Sequence, residues 1–306
     1  MQYDMAFQKL TVKMAIELAA PHTWPASVMP VLIGISLSVA LGASPSWVTC
    51  LILLAICVLM QSSVNTFNDY FDYVKGLDST EDNLDPTDAV LLYNNIDPKS
   101  ALRLALGYLG SAFVLGIYII WISGWIPLAI ALIGALIVVL YSAGKTPISS
   151  LPIGEAVSGI VMGGLITLAV VDVLSGTFLW IVLAWSIPQI IGIGLIMMTN
   201  NTCDIEKDMQ SNRRTLPIIL GRKRSRKTYH VLLWIWVVSI VVIVSVWFTN
   251  GLIITVCMLL TSLPLLKPLL ANPLKQSSRI QAMAQICYVN IALGVFYAAS
   301  ILFYAL

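Results

Sequence analysis

Charge is what this sequence has least of. Of 306 residues, only 10% are Asp, Glu, Lys or Arg, against roughly 25% in an ordinary soluble domain. There are two histidines, His22 and His230, each isolated and neither read as catalytic. The five cysteines (Cys50, Cys57, Cys203, Cys257, Cys287) show no C-x-x-C spacing, so they read as small apolar packing residues rather than a zinc or redox motif. A cleavable signal peptide is not expected either, because the chain opens on a polar, amphipathic stretch. With 58% hydrophobic residues and a mean hydropathy of +0.89, too much apolar surface exists for one water-soluble core to hide. A soluble enzyme, a nucleic-acid binder, a disordered chain and a secreted disulfide scaffold are excluded together.

What is present is one apolar run after another. Crossing a bilayer takes about 20 mainly apolar residues, and nine stretches qualify: roughly 25–43, 47–67, 101–122, 125–142, 152–173, 178–200, 229–249, 251–270 and 281–305. The reading is an all-α integral membrane protein, one domain over residues 1–306 with nine transmembrane helices in a bundle. Ahead of the first span, Phe7, Leu10, Met14 and Leu18 recur at helical spacing with Gln8, Lys9, Lys13 and Glu17 on other faces. Residues 1–22 therefore read as an interfacial helix lying on membrane lipid.

The 17 bases check the count. Lys9 and Lys13 precede the first span; Lys75, Lys99 and Arg103 lie between the second and third, and Lys145 between the fourth and fifth. Lys207, Arg213, Arg214, Arg222, Lys223, Arg224, Arg226 and Lys227 fall between the sixth and seventh, and Lys267, Lys275 and Arg279 around the turn between the last two. All sit on one side of the nine-span scheme, while the opposite turns (42–46, 123–124, 173–177, 250) carry none. The positive-inside rule makes the basic side cytoplasmic, with the amino terminus inside and the carboxyl terminus outside. The run Arg222–Lys223–Arg224 with Arg226 and Lys227 reads as an anchor for inner-leaflet head groups.

Two polar segments are long, 68–100 and 201–228, and both are read as functional loops on the basic side. Each starts alike. Asn65, Asn68/Asp69 and Asp72 follow one helix face at i, i+3/4 and i+7, and Asn201, Asp204 and Asp208 do the same four helices later. This looks like a parallel internal repeat. The pattern stacks amide and carboxylate oxygens at helix carboxyl ends, where the macrodipole already disfavours negative charge. Solvated helix ends are the bland reading. The sharper one is a pair of columns that bind divalent cations. Carboxylate and amide oxygens without His or thiolate suit Mg²⁺, which keeps open positions for phosphate oxygens, so a diphosphate is the natural ligand. Lys75, Lys145 (just after Tyr141), Arg213 and Arg214 supply phosphate-binding charge nearby. Glu155 opens the fifth span. The helix dipole alone accounts for it, and orienting Lys145 or an acceptor is the other reading.

At these residues the chain resembles the UbiA superfamily of intramembrane prenyltransferases. Asn65-Thr-Phe-Asn68-Asp69-Tyr-Phe-Asp72 is similar to its first Asp-rich motif, and Asn201-Thr-Cys-Asp204-Ile-Glu-Lys-Asp208 to its second. Three stretches resemble the 1,4-dihydroxy-2-naphthoate branch, which serves menaquinone biosynthesis. They are Pro21-His-Thr-Trp-Pro25 running on to Gly34, Asn68 through Gly76, and Asp208 followed by Arg213-Arg-Thr-Leu-Pro217. The basic residue common before Pro21 is Ala20 here, and the segment 73–100 holds six acids against two lysines.

The resemblance implies an activity. Asp69, Asp72, Asp204 and Asp208 would hold Mg²⁺ against the diphosphate of a polyprenyl donor. Asn65, Asn68 and Asn201 would fix ligand geometry, and Lys75, Lys145, Tyr141, Arg213 and Arg214 would contact substrate or stabilise the leaving diphosphate. The acceptor would be 1,4-dihydroxy-2-naphthoate, prenylated with loss of CO₂ to a demethylmenaquinol. Phe67, Tyr70, Tyr73 and Tyr141 are candidates to shield an allylic cation. The alternatives are another aromatic acceptor, a cation-coupled secondary transporter, and a non-catalytic quinone-binding protein.

Overall fold

The computed structural model describes residues 7–76 and 89–305. Among them the chain is helical, apart from one isolated parallel bridge between Gln8 and Ile96. In chain order the helices are α1 (Val12–Leu18), α2 (Pro25–Ala40), α3 (Trp47–Val74), α4 (Val90–Asn94), α5 (Pro98–Ser123) and α6 (Trp125–Ser142). They continue with α7 (Gly154–Ser175), α8 (Ile181–Trp185), α9 (Ile187–Cys203), α10 (Ile205–Gln210), α11 (Leu216–Trp247), α12 (Leu252–Ala271) and α13 (Arg279–Ala305).

Seven helices are long and apolar enough to cross a membrane, or eight if the pair Val12–Thr23 and Pro25–Ala40, bent by 59°, is taken as one span. The chain is a multi-pass membrane protein. Two of the nine stretches read as spans give shorter helices than expected. The stretch 25–43 yields α2, of 16 residues, and 178–200 is broken at Ser186 to leave α9, of 17. At 1.5 Å per residue these reach about 24–26 Å, short of a ~30 Å hydrocarbon core. Both are interior helices. Ile33 and Leu37 of α2 and Ile193 and Leu195 of α9 are buried in one cluster with Tyr229, Leu233 and Trp236 of α11 and Leu293 and Tyr297 of α13.

Local chemistry sets the ends. Pro98 opens α5 while Asp97 accepts the Lys99 N–H at 3.1 Å, which satisfies an orphan donor of the first turn. α7 ends at Gly176 in the left-handed region, φ 69°, the usual use of glycine there. Trp47, Trp121, Trp125 and Trp180 are exposed at the base-free end of α3, α5, α6 and α8, as amphipathic rings are at a membrane interface. α3 has 28 residues, about 42 Å. Its last turns, with Asn65, Asn68, Asp69 and Asp72, therefore outrun the hydrocarbon.

Both long polar segments are shorter as loops than read above. Residues 68–74 finish α3 and 90–94 form α4, whereas 201–203, 205–210 and 216–228 are helical. α11 begins well before the apolar run at 229, bends at Gly221 (φ 73°, ψ 154°), and carries the basic run on its first turns. Arg222 is not an anchor: it donates to the carbonyls of Thr202 (2.7 Å) and Leu274 and pairs with Glu206. Lys223, Arg224 and Lys227 are exposed. Leu10 and Met14 pack with buried Leu18 against Val90, Leu91 and Ile96, and the Gln8 N–H donates to Asn95 at 3.0 Å. The amino-terminal segment is thus packed against α4 and the start of α5. The acidic stretch Asp78–Asp88 lies outside the described residues.

α7 and α9 meet backbone to backbone. A π-helical stretch, Gly159–Leu165, presents glycines to α9, and a Cβ at Gly163 would stand 2.6 Å from the backbone of Gln189 and Ile190. Gly163→Ala is expected to destabilise the fold by about 1–3 kcal/mol, and Gly116→Ala, with nothing within 4 Å, to leave the melting temperature unchanged. Thermal unfolding in detergent compares the two.

Candidate active site

A cavity of about 860 Å³ opens among α2, α3, α5, α6, α7 and α9. Its long wall is apolar: Leu53, Ile56 and Met60 of α3, Ile119 of α5, Val138 of α6, and Val161 and Leu165 of α7. Its polar end gathers Asn65, Asn68, Asp69, Asp72, Lys75, Tyr141, Lys145, Asn201, Arg213 and Arg279. Sequence positions from 65 to 279 thus converge on one mouth. The first column lines it throughout; of the second, Asn201 does, whereas Asp204 and Asp208 are not part of the wall and reach it through the lining residues Arg279 and Arg213. Of the aromatic candidates, Tyr141 lines the cavity; Phe67, Tyr70 and Tyr73 do not.

The first column is engaged. Asp69 accepts backbone N–H groups of Val90 (2.7 Å) and Leu91 (3.3 Å), so it fastens α4 to α3. Asn65 donates to the Ala19 carbonyl (2.9 Å) and the Thr23 hydroxyl (2.8 Å), which ties down the amino-terminal segment. Asn68 accepts from Ser142 at the end of α6. Lys75 donates to the Ser142 carbonyl at 3.1 Å, with its Nζ 5.4 Å from the Phe71 ring centre. Lys145 is exposed at the mouth. Arg214 is exposed as well, its backbone N–H donating to Ser150 at 2.9 Å, and it is not part of the cavity wall.

The second column is reached through guanidinium groups. Arg213 is 3.2 Å from Asp72 Oδ1 with Nη2 and 3.2 Å from Asp208 Oδ1 with Nη1, so a single cation bridges the two motifs. Buried Arg279 Nε meets buried Asp204 Oδ2 at 3.0 Å, and its Nη2 donates to the half-buried Asn200 Oδ1 at 2.6 Å. Asn201 donates to Glu155 Oε1 at 2.9 Å. Arg279 and Asn200 are the functional candidates that the sequence reading did not assign; Glu155, read there as a helix-dipole carboxylate or an orienting group, is found bonded to Asn201. Arg279 left a signal, since it is a lone base opening an otherwise apolar helix.

Cation binding can be tested on these residues. Among the described residues, no group of three or more His, Cys, Asp or Glu is already drawn together as a metal cluster. The donor chemistry nevertheless fits a hard divalent ion: carboxylates with amide oxygens beside them. Asp208 is 2% exposed, and its Oδ2 is buried without a hydrogen-bond partner. Burial pushes its carboxyl up to about 6, with Arg213 pulling it down and Asp204 pushing it up. Such a carboxylate is short of positive charge even with Arg213 in contact, and a cation placed between Asp72 and Asp208 would supply it.

This is a membrane-embedded site that combines a charged, anion-accepting mouth with an apolar channel. Residues 27–289 match the UbiA prenyltransferase family, and the chain belongs to it; it is a membrane prenyltransferase. It is 34% identical over 229 residues to 1,4-dihydroxy-2-naphthoate octaprenyltransferase of Bacillus subtilis, covering 74% of this chain and 73% of that one. It is 25% identical over 287 residues to UbiA prenyltransferase domain-containing protein 1 of Danio rerio, covering 92% and 82%. The structure of a UbiA homolog from Archaeoglobus fulgidus bound to GPP and Mg²⁺ superposes with a TM-score of 0.64 at 16% identity, covering 93% of this chain and 99% of that one. The fold is shared. The family match sets the transporter alternative aside.

The raised Asp208 carboxyl has a consequence for stability. Its folded value near 6 lies above the ordinary 3.8, so the ionised group disfavours the folded state above pH 6, and the effect fades as pH falls toward 3.8. Asp208→Asn is expected to stabilise the divalent-free protein above pH 6, by up to about 3 kcal/mol, with the gain shrinking as pH falls below 6 and gone below about 3.8. Thermal melts across pH in chelator measure this; a variant less stable than the parent at pH 8 contradicts it.

Proposed function

We propose that the protein transfers a polyprenyl group from a polyprenyl diphosphate to 1,4-dihydroxy-2-naphthoate, with loss of diphosphate and CO₂, giving demethylmenaquinol. The observation that carries the reading is a mouth lined by the first acid column, joined through Arg213 to Asp208 of the second and continuous with an apolar channel. It suits a ligand with a charged head and a hydrocarbon tail. The choice of acceptor is supported by the octaprenyltransferase relative in Bacillus subtilis.

In this reading Asp69, Asp72, Asp204 and Asp208 would hold Mg²⁺. When bound, Mg²⁺ neutralises diphosphate oxygens as a Lewis acid. Arg213 and Lys145 stand at the mouth to bind the diphosphate and to stabilise the charge that grows on it as the allylic carbon–oxygen bond breaks. Asn68 and Asn201 orient the head group. The tail lies along Leu53, Ile56, Ile119 and Leu165, away from water, and Tyr141 lies beside the reacting carbon. The donor carries three negative charges and the acceptor one; diphosphate leaves with four, and product and CO₂ are neutral, so no net proton is needed. In the nine-span reading of the sequence, the one-sided bases put the amino terminus in the cytoplasm and the carboxyl terminus outside.

Purified protein with Mg²⁺, a polyprenyl diphosphate and either dihydroxynaphthoate or 4-hydroxybenzoate should yield the demethylmenaquinol mass from the first acceptor only. Product from 4-hydroxybenzoate alone would reassign the acceptor, and product in excess chelator would remove the metal from the reaction. Asp72→Ala and Asp208→Ala should each lower turnover at least about 100-fold. Lys145→Ala should lower it more than Arg224→Ala, and the reverse order would move the phosphate contact to the outer basic run.

A further inference from the structure

The basic run at the start of α11 takes no part in the cavity, although positions 222–227 hold five of the 17 bases. Arg222 is tied to Thr202 and Glu206. The bases after it are not tied down in this way. Among the described residues, Lys223, Arg226 and Lys227 have no carboxylate within ion-pair distance, and neither has Lys267 on α12. Lys223, Lys227 and Lys267 are exposed. Arg226 is half-buried, and its Nε has no hydrogen-bond partner. A half-buried cation without a counter-charge is costly, and three more cations beside it add to the demand for an anion.

Packing of α11 on α12 draws these bases to one place. Tyr229 and Leu233 of α11 are buried in one cluster with Leu266 and Leu269 of α12. His230, one turn beyond Arg226, lies against the Leu270 carbonyl in the last turn of α12. Arg226 is therefore on the flank of α11 that faces the end of α12, where Lys267 is. Away from the bases, both helices turn apolar side chains outward. On α11, Lys223 and Lys227 continue at helical spacing into exposed Val231, Trp234 and Val238. On α12, exposed Leu260 and Leu263 lead in the same way to Lys267. Depth agrees with this. α11 ends at Trp247, and its last 20 or so residues span about 30 Å, the thickness of the hydrocarbon core. Lys223, Arg226 and Lys227 thus stand at the level of lipid phosphates, and Lys267, a turn short of the end of α12, reaches that level along its own stem.

Two adjoining apolar stripes headed by unpaired cations are complementary to a phospholipid whose head group carries net negative charge. Its acyl chains lie along the stripes and its phosphate among the bases. A soluble anion would use the bases alone and gain nothing from the stripes. We propose that the seam between α11 and α12, on the basic side of the protein, binds one anionic phospholipid, with Lys223, Arg226, Lys227 and Lys267 around its phosphate. The guanidinium offers a planar fork to phosphate oxygens and the lysines offer point charges. The site is separate from the cavity, which none of the four residues lines.

Native mass spectrometry tests this on the purified protein, incubated in detergent with phosphatidylglycerol or with phosphatidylcholine of the same acyl chains. The parent should retain one phosphatidylglycerol in preference to phosphatidylcholine. Lys223→Gln/Arg226→Gln/Lys267→Gln should weaken that binding about 100-fold, roughly fivefold for each base. Lys223→Gln/Lys227→Gln, confined to exposed side chains that support no packing, should weaken it about 25-fold. Lys9→Gln/Lys13→Gln/Arg103→Gln removes three charges elsewhere on the basic side and should bind as the parent does. Equal retention of the two lipids by the parent overturns the proposal. So does a preference that survives in both α11 variants, or one that the remote variant loses equally, since net charge alone would then set it. Displacement of phosphatidylglycerol by an equal concentration of glycerol 3-phosphate also overturns it, because the bases would then hold a free phosphate and not a lipid.

Discussion

Carboxylates at the edge of a bilayer need positive charge in contact with them, and the polar end of this protein is arranged by that need. Isolated acids there cost several kcal/mol. Arg213 answers for Asp72 and Asp208 at once, at 3.2 Å each, and Arg279 answers for Asp204. Since Asp72 lies in the last turn of α3 and Asp208 on α10, the Arg213 bridge also joins these two helices beside the cavity mouth. The remaining acid of the first motif, Asp69, is satisfied by the amides of α4. Without these partners, the two helix ends would carry like charges into one another.

The bridge also prepares the site for its ligand. A guanidinium between two carboxylates holds Asp72 and Asp208 close together, each 3.2 Å from it. Asp208 remains short of charge even so, its carboxyl raised to about 6 by burial. A phosphate-bound divalent ion would give both acids more than Arg213 does and would free Arg213 for the diphosphate itself. Stability and function therefore pull in opposite directions at Asp208, as is common where a fold keeps charge for use rather than for packing.

Much of this was legible in the sequence, for physical reasons that also mark where legibility ends. Charge scarcity gave the membrane class. The i, i+3/4, i+7 spacing placed Asn65 to Asp72 on one helix face, which lines the cavity; the second column is interrupted at Asp204, between α9 and α10, and only its Asn201 lines the cavity. The helix count was less legible. Apolar runs report that a segment is out of water, not whether lipid or protein surrounds it, so the interior helices α2 and α9 read as full spans although they have 16 and 17 residues. The start of α11 was hidden for the opposite reason: Arg and Lys are good helix formers but look like loop to a hydropathy reading. Partners were the least legible. Arg279 acts on Asp204 from 75 positions away, and nothing in local pattern says that Arg222 folds back on Thr202 and Glu206 while Arg224 is exposed.

The central claim is that the two acid columns form one cation-dependent diphosphate site with Arg213 between them. Calorimetric titration of a polyprenyl thiodiphosphate into the purified protein, with Mg²⁺ varied, tests it most directly. The account predicts binding that requires Mg²⁺ and that disappears when Asp72 and Asp208 are both changed to Asn, one acid from each column. Equal affinity in chelator, or full affinity in the double variant, would contradict it.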